Sequence, residues 1–305
     1  MRCAAVAVAI LALLLLAGCS SSNTRARHGR TASQTVSGQR VIRGDRQIDK
    51  FRDDLNRPQS SRYRDNDDSV PAGAPDISKL VEPVPKVEPR SLYGNKSPYS
   101  VRGQSYRVLP TAGGYDKRGI ASFYGNKFHG YKTSSLETYD MYAFSAASTT
   151  LPLPSYARVT NLKNGKSVIV RVNDRGPFHA NRLIDLSFAA AAKIDIWPKG
   201  TGLVEVIGID PEHPAAELTR APVVTGGHAN IFLQVGAFSS DDNAQRLAQR
   251  LRQARLGEVQ LSEVLVNGQH VHRVRIGPLT NVNRADQISS QVERMGLPRP
   301  QVAVD

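Results

Sequence analysis

The sequence predicts a mainly β domain followed by an α+β domain, with a long polar segment in front of both. Between residues 119 and 210, short runs of β-forming residues are separated by Gly, Asn and Pro, as in a small barrel. After residue 228, strand patterns and helix patterns alternate. A chain of 305 residues is long enough for two modest domains and a connecting tail.

The N-terminal end has the features of a secretory signal peptide. Arg2 precedes an apolar stretch, residues 4–16, that is too short for a permanent membrane span. The following Leu-Ala-Gly-Cys19 resembles the bacterial lipobox. This resemblance implies removal of residues 1–18, acylation of Cys19 with palmitate among the acyl chains, and sorting to the outer membrane because Ser20 follows. An ordinary cleavage site beside an incidental cysteine is the alternative.

The composition excludes several classes of protein. Cys3 leaves with the signal peptide and Cys19 is the other cysteine, so no internal disulfide, thiol metal site or catalytic cysteine is expected. The net charge of +13 favours an anionic partner, but export and the lack of nucleic-acid motifs argue against nucleic acid. The sequence has no metal-ligand spacing of histidines, serine-hydrolase elbow or phosphate loop, so no metal or other cofactor is expected.

Residues 19–90 are rich in Ser, Arg, Asp, Gln and Pro, and they predict a disordered tether. Its later part, residues 81–89, contains alternating prolines that favour a stiff, extended backbone. Such a tether could hold a domain about 100 Å from a membrane. This length suits a target in the cell wall.

Residues 91–210 are predicted to form the barrel domain. Ser187 is a plausible N-cap for a helix over residues 188–193, which interrupts the series of strands. The predicted strands are residues 120–124, 156–161, 167–172 and 203–209.

Residues 211–227 contain three prolines and a Gly-Gly pair, and they predict a linker before a domain over residues 228–305. In that domain a strand precedes a helix twice, and Asn267-Gly268 predicts a hairpin between two strands. The order βαββαβ predicts a ferredoxin-like sheet with both helices on one face. Alternation predicts that Leu233, Val235, Val274 and Ile276 face the helices, whereas Gln234, Arg273 and Arg275 face away as the candidate glycan-binding set.

Several barrel motifs occur in a fixed order and resemble the rare lipoprotein A family. They are Gly119-Ile-Ala-Ser-Phe-Tyr-Gly-Asn-Lys-Phe-His-Gly130, Glu137-Thr-Tyr-Asp-Met141, Thr150-Leu-Pro-Leu-Pro-Ser-Tyr156 and Val172-Asn-Asp-Arg-Gly-Pro-Phe178. The resemblance implies a double-psi β-barrel, which plant expansins, some inverting cellulases and some lytic transglycosylases share. The later Leu-Gln-Val-Gly-Ala-Phe and Val-Arg-Ile-Gly-Pro-Leu motifs resemble the sporulation-related repeat (SPOR) domain, which binds glycan strands that lack stem peptides.

These resemblances imply a peptidoglycan lytic transglycosylase, a lyase that cleaves peptide-stripped glycan at the division septum and leaves 1,6-anhydro ends. The implied location is the periplasmic face of the outer membrane, through the lipid anchor. Division-site proteins are possible partners.

The family resemblance assigns catalytic function to Glu137. Asp140 lies three residues later, among aromatic residues that could raise a carboxyl pKa by desolvation. Asp174 either acts as a general acid, as in related barrels, or caps its own turn. The chain departs from the family at Ser148, where the family usually has a histidine that can orient or protonate a carboxyl group near neutral pH.

Other residues near these motifs have less specific interpretations. Tyr124 and Phe128 could each offer a flat surface to a sugar ring or pack in the barrel. His129 is expected to be a hydrogen-bonded structural residue. The same interpretation is favoured for Arg175, Arg182 and Asp185, which could pair with Asp174 or with one another.

Two alternatives to a transglycosylase remain open. A degenerate barrel without the family histidine could bind or loosen the wall without cutting it, as expansins do. An inverting hydrolase with two separated carboxylates and a water molecule is the weaker alternative. The ends of the product chains would distinguish the three.

Overall fold

The computed structural model of the protein describes residues 57, 59–214, 219, 221 and 230–304. The predicted signal peptide, Cys19 and most of the predicted linker lie outside these residues. Within the described ranges, no helix is both long and apolar enough to cross a membrane. The helices are α1 (Gln59–Arg62), α2 (Phe188–Lys193), α3 (Asp241–Gln253) and α4 (Val282–Arg294).

Six strands form a closed barrel, and a short hairpin precedes them in the sequence. The hairpin is β1 (Tyr99–Val101) and β2 (Gln104–Tyr106), and the barrel strands are β3 (Asp116–Tyr124), β4 (Ser145–Ala147), β5 (Ser155–Asn161), β6 (Ser167–Asp174), β7 (Arg182–Ser187) and β8 (Gly202–Ile209). Their order around the barrel is β3-β7-β4-β6-β5-β8. The pairs β3–β7 and β4–β6 are parallel, and the others are antiparallel. Parallel pairs between distant strands require crossovers, and the expected double-psi β-barrel is confirmed.

The four predicted barrel strands lie within β3, β5, β6 and β8, whereas β4 and β7 were not predicted. The predicted helix is α2, and the Ser187 hydroxyl accepts the N–H of Ala190 at 3.2 Å, as an N-cap does. The helix buries Phe188 and three alanines against the barrel. Since alanine side chains are short, the helix backbone lies close to the strands.

Residues 59–95, which we name the strap, lie along the barrel. Within the strap, Ile77 and Leu80 pack against the barrel core, and Glu82 Oε2 accepts the N–H of Ile169 at 3.0 Å. The prediction of a disordered tether up to residue 90 therefore differs from the structure over residues 59–90. The local sequence of the strap shows no helix or strand periodicity. Its order depends on contacts with barrel residues that are distant in the sequence, so the local sequence does not reveal it.

The strap lies close to the barrel at Gly125, the residue after β3. The Asp68 carboxylate accepts the N–H of Gly125 at 2.9 Å and that of Lys127 at 3.1 Å. A Cβ atom at Gly125 would overlap the carbonyl oxygen of Ser69 and the side chain of Val70. Only glycine leaves room for the strap at this position.

The C-terminal domain has the predicted βαββαβ order. Its strands are β9 (Ile231–Phe238), β10 (Val259–Val266), β11 (Gln269–Leu279) and β12 (Gln301–Val304). The sheet order is β10-β11-β9-β12, and residues from α3 and α4 share one core with it. Asn267 and Gly268 both have positive φ, 51° and 77°, between the paired Val266 and Gln269. This two-residue turn confirms the predicted hairpin.

The start of β7 contacts α4 of the C-terminal domain. Arg182 Nη2 lies 3.0 Å from Asp286 Oδ2, and Asn181 Nδ2 donates to Asp286 Oδ1 and to Ser289 Oγ, each at 2.9 Å. These contacts agree with the predicted structural role of Arg182, although its ion-pair partner is Asp286 and not Asp174 or Asp185.

Candidate active site

Two aspartates lie in one row across the barrel strands. Asp174 of β6 pairs with Ala147 of β4, which pairs on its other side with Asp185 of β7. Asp185 in turn pairs with Ser122 of β3, whose hydroxyl donates to Asp185 Oδ1. Because directly paired residues project to the same face of a sheet, these side chains lie on one face. Gly176 lies next to this row, because a Cβ atom there would lie 3.6 Å from Asp185 Oδ2.

The Asp174 carboxylate holds the loop of residues 133–137. Its Oδ1 atom accepts the N–H of Ser134 at 2.8 Å, the Ser134 hydroxyl at 2.7 Å and the N–H of Arg175 at 2.8 Å. Among the described residues, Oδ2 has no hydrogen-bond partner. Burial raises the pKa of Asp174 and outweighs the hydrogen bonds from Ser134 and Arg175, which lower it.

The pKa of Asp185, the second aspartate of the row, is shifted in the same direction as that of Asp174. Burial raises the pKa of Asp185, and the charge of Asp174 adds to this effect. The hydroxyl of Ser122 and the charges of His179 and Arg182 act against it. The pKa values of both aspartates in the row are therefore raised, mainly by burial.

Glu137 lies in the loop that Asp174 holds. Its Oε2 atom accepts Nδ2 of Asn173 at 2.8 Å and also accepts Nη1 of Arg171. A β-bulge in the β4–β6 pairing, between the partners of Ala146 and Ala147, inserts Asn173 as an extra residue beside Asp174. The loop therefore connects both candidate carboxylates to the same end of β6.

The pKa of Glu137 moves in the opposite direction to that of the aspartates. Burial alone would raise it, but hydrogen bonds from Arg171 and Asn173, together with the charge of Arg171, lower it. The sequence suggested that nearby aromatic residues could raise a carboxyl pKa in this segment. The guanidinium group of Arg171 reverses that expectation for Glu137.

Asp140 has different partners from Glu137. Its Oδ1 atom accepts the N–H of Tyr142 at 2.9 Å and lies 3.7 Å from Nδ1 of His129. That nitrogen accepts the N–H of Met141 at 3.2 Å, an arrangement that fits the neutral imidazole. Burial lowers the pKa of His129, although the charge of Asp140 opposes the shift. These contacts agree with a structural role for His129.

Ser148 lies beside Asp174 and is buried. Its N–H donates to the carbonyl oxygen of Asp174 at 3.0 Å. Its hydroxyl accepts the N–H groups of Thr150 at 3.3 Å and Leu151 at 3.1 Å. The side chain at the family's histidine position therefore caps a turn. Arg175 binds the Ser148 carbonyl oxygen at 2.9 Å, which agrees with its predicted supporting role.

The predicted sugar-binding surface at Tyr124 is not open. The Tyr124 side chain is buried, and its ring stacks on Tyr139 with centroids 4.2 Å apart. Phe128 meets it edge to face at 5.8 Å. Because these rings cover one another, packing in the barrel prevails over sugar binding for Tyr124.

Sequence reasoning missed Arg171 and Asn173, and it treated Asp185 as structural. The one available signal was alternation in β6, where Val170 and Val172 are buried and Arg171 lies between them on the opposite face. That pattern places Arg171 outside the core but does not identify its partners.

One group of side chains in the described part of the chain has metal-ligand proximity. Asp210, Glu212 and His213 each offer an atom within 4.8 Å of the others. Two of these residues are exposed, and Asp210 accepts the N–H of Glu212 in a local turn. These turn contacts account for the grouping.

The C-terminal sheet has the predicted two faces. Leu233, Val235, Val274 and Ile276 are buried in the core with the helices. Gln234, Arg273 and Arg275 are only partly buried, and Gln234 pairs directly with Arg275. The Arg275 guanidinium lies 5.9 Å from the centre of the Phe232 ring. The alternation is confirmed, whereas a sugar-binding role for the outer set stays a prediction.

Two family models match the chain. The model described as "Lytic transglycolase" matches residues 116–206, and the model described as "SPOR domain" matches residues 227–302. The first match covers the six barrel strands up to the middle of β8. The second covers the C-terminal sheet and both of its helices.

Several relatives are similar to this chain over most of its length. "Endolytic peptidoglycan transglycosylase RlpA" of Pseudomonas aeruginosa (strain UCBPP-PA14) is 38% identical over 289 residues, which cover 78% of this chain and 84% of the relative. The protein of the same name from Vibrio cholerae is 40% identical over 238 residues, covering 77% and 86%. The crystal structure of the RlpA SPOR domain from P. aeruginosa matches with a TM-score of 0.23 and 32% identity, covering 24% of this chain and 96% of that chain. The chain therefore belongs to the rare lipoprotein A family and carries a C-terminal SPOR domain.

Proposed function

We propose that this protein is a lytic transglycosylase that cleaves the glycan strands of peptidoglycan and leaves 1,6-anhydro ends. Family membership and the names of the similar relatives support this class of activity. The SPOR domain supports peptidoglycan as the polymer that is bound. Strands that lack stem peptides are the proposed substrate, because SPOR domains in general bind such strands.

The reaction transfers a proton and replaces one C–O bond with another. The glycosidic bond breaks as its oxygen takes a proton from an acid, and the sugar becomes oxocarbenium-like. The substrate's 6-hydroxyl oxygen then bonds to C1 and gives its proton to a base. No water is consumed, so the site needs an acid and a base but no protein nucleophile.

The observation that carries this proposal is the opposite pKa shift of the neighbouring carboxyl groups. Glu137 has a lowered pKa, whereas Asp174 has a raised one. We assign proton donation to Asp174 through Oδ2, which no described residue binds. Ionised Glu137 stabilises the positive charge and accepts the 6-hydroxyl proton. Asp185 lies in the same row, where the charge of Asp174 raises its pKa, and Asp140 accepts the N–H of Tyr142 just beyond the loop.

The test is to incubate the purified chain with peptide-free glycan and to weigh the products by mass spectrometry. Glu137→Gln and Asp174→Asn should each reduce anhydro-ended fragments by about 10²- to 10⁴-fold, the usual contribution of a positioned acid or base. Asp195→Asn is the matched control, because Asp195 pairs with Lys166 at an exposed position of the barrel. It should leave the yield unchanged.

Three outcomes would contradict parts of this assignment. Strong activity that survives Glu137→Gln would refute the proposed site. New reducing ends in place of anhydro ends would indicate a hydrolase. Complete absence of new ends would favour a binding protein.

The second candidate is a glycan-binding scaffold, and Ser148 is the observation that favours it. A buried serine whose hydroxyl caps a turn cannot supply the proton transfer that a histidine would supply. If the barrel is a weakened enzyme, Ser148→His should raise the yield of anhydro ends. If neither the natural protein nor this variant produces new ends, the scaffold is the better account.

We also propose that acylated Cys19 anchors the protein to the periplasmic face of the outer membrane, with enrichment at the division septum. The lipobox-like sequence and Ser20 support this location. Cys19→Ala should release the protein from the outer-membrane fraction. Retention there with an unchanged N-terminal mass would contradict the anchor.

A further inference from the structure

The strap lies before the family-matched residues 116–206, yet it contacts the site from several directions. The Ser91 hydroxyl donates to the carbonyl oxygen of Ser135 at 3.3 Å, within the loop that carries Glu137. Arg175, the neighbour of Asp174, donates from Nε to the carbonyl oxygen of Gly94 at 2.6 Å. The strap therefore supports the loop and the end of β6 at once.

Its most direct contact with the site is the ion pair between Glu88 and Arg171. Glu88 Oε1 lies 2.9 Å from Arg171 Nε, and Glu88 Oε2 lies 3.0 Å from Arg171 Nη2. This two-point geometry fixes the plane of the guanidinium group. The hydroxyl of Tyr156, which pairs with Arg171 across β5 and β6, also donates to Glu88.

The same guanidinium group holds Glu137. With Nε and Nη2 bound to Glu88, Arg171 presents Nη1 to Glu137 Oε2. Asn173 donates to the same oxygen. Glu88 therefore determines which edge of Arg171 faces Glu137, although it lies 49 positions earlier in the chain.

Glu88 also affects the charge balance at Glu137. The charged groups that act on Glu137 are Arg171 and Glu88, and Asn173 contributes a neutral donor. The charge of Glu88 raises the pKa of Glu137, whereas Arg171 lowers it. Without Glu88, Arg171 would interact with Glu137 alone, so the pKa of Glu137 should fall further.

We propose that Glu88 is a positioning residue for Glu137 that acts through Arg171, and that the strap is part of the catalytic unit. This inference rests on the proposed catalytic role of Glu137. Glu88 has no contact with the row of aspartates among the described hydrogen bonds, so its effect passes through the guanidinium group.

The test compares Glu88→Gln with Glu82→Gln in the full chain. Both residues lie on the strap and contact β6, but Glu82 binds the N–H of Ile169 and not Arg171. Carbon-13 NMR of labelled glutamate carboxyl groups would follow the titration of Glu137, assigned by its loss in Glu137→Gln. A role restricted to stability would leave this titration unchanged.

We expect the Glu137 titration to move to lower pH in Glu88→Gln and to stay in place in Glu82→Gln. Anhydro-end formation at saturating glycan should fall about tenfold or more in Glu88→Gln, because small misplacements of reacting groups are costly. Glu88→Asp should restore part of that rate, and KM should change little.

An unchanged Glu137 titration in Glu88→Gln, or an equal shift in Glu82→Gln, would overturn the proposal. Absence of anhydro ends from the natural protein would instead refute the proposed function. In that case the carboxyl titration still decides whether Glu88 is coupled to Glu137.

Discussion

The two domains place their candidate functional residues differently. In the C-terminal domain, Gln234 and Arg275 lie on the outer face of a sheet whose other face contains the core. In the barrel, Asp174 and Glu137 accept the hydrogen bonds that hold a loop and a strand end in place. We therefore expect the candidate residues on the sheet to tolerate substitution without loss of the fold, whereas the barrel carboxylates combine a structural role with their candidate catalytic role.

The largest expected effect that tests this comparison is the loss of the Asp174 carboxyl group. Asp174→Ala would leave the N–H groups of Ser134 and Arg175 without their acceptor, at a cost of about 3 kcal/mol in the free energy of unfolding. Asp174→Asn keeps an acceptor oxygen and should retain most of the stability. Urea unfolding followed by the fluorescence of Trp197, the single tryptophan, would report on the barrel.

Equal urea midpoints for Asp174→Ala and the natural protein would break the comparison. The Asp174 carboxylate would then make no measurable contribution to stability, and any role it has would be limited to catalysis.

A smaller effect is expected on the C-terminal sheet. Gln234→Ala combined with Arg275→Ala should weaken binding of peptide-free glycan about tenfold, equivalent to about 1.4 kcal/mol, while the domain's thermal unfolding changes little. The matched control is Arg246→Ala, which removes an exposed arginine from α3 on the helix side of the domain. Co-sedimentation with peptide-free and intact glycan would measure the binding.

Normal binding by the double variant would remove the outer face as the glycan site. Equal binding to intact and peptide-free glycan would remove the proposed selectivity. A large loss of stability would show that the sheet residues, like those of the barrel, have two duties.

The sequence predicts the C-terminal domain well because its structure depends on local patterns. The hairpin turn occurs at Asn267-Gly268, where the sequence predicts it, and both residues have positive φ. The buried and outer faces of β9 and β11 follow from a period of two.

The barrel is harder to predict because its site depends on distant contacts. β4 has only three residues, all buried, and it therefore shows no alternation. Apart from the adjacent Arg175, the hydrogen-bond partners of Asp174 and Glu137 lie 34 to 40 positions away, and no spacing rule identifies them. Family resemblance supplied Glu137, but the direction of its pKa shift required knowledge of Arg171.

The strap was misread for the same reason. A proline-rich, charged segment with isolated apolar residues has the composition of a linker. The roles of Ile77 and Glu82 become visible only in their contacts with the barrel. Composition therefore fails to predict the order of a segment that packs on the surface of a domain formed by other strands.

The long reach of the strap has a consequence for the order in which the barrel matures. Glu82 and Glu88 meet Ile169 and Arg171, which lie 87 and 83 positions later. In a chain that is exported from its N-terminal end, the strap would cross the membrane well before those partners. Contacts of such large sequence separation close late. If the chain is exported as proposed, the Arg171 site would assemble only after β6 has crossed the membrane, so translocation itself would delay the formation of a complete site.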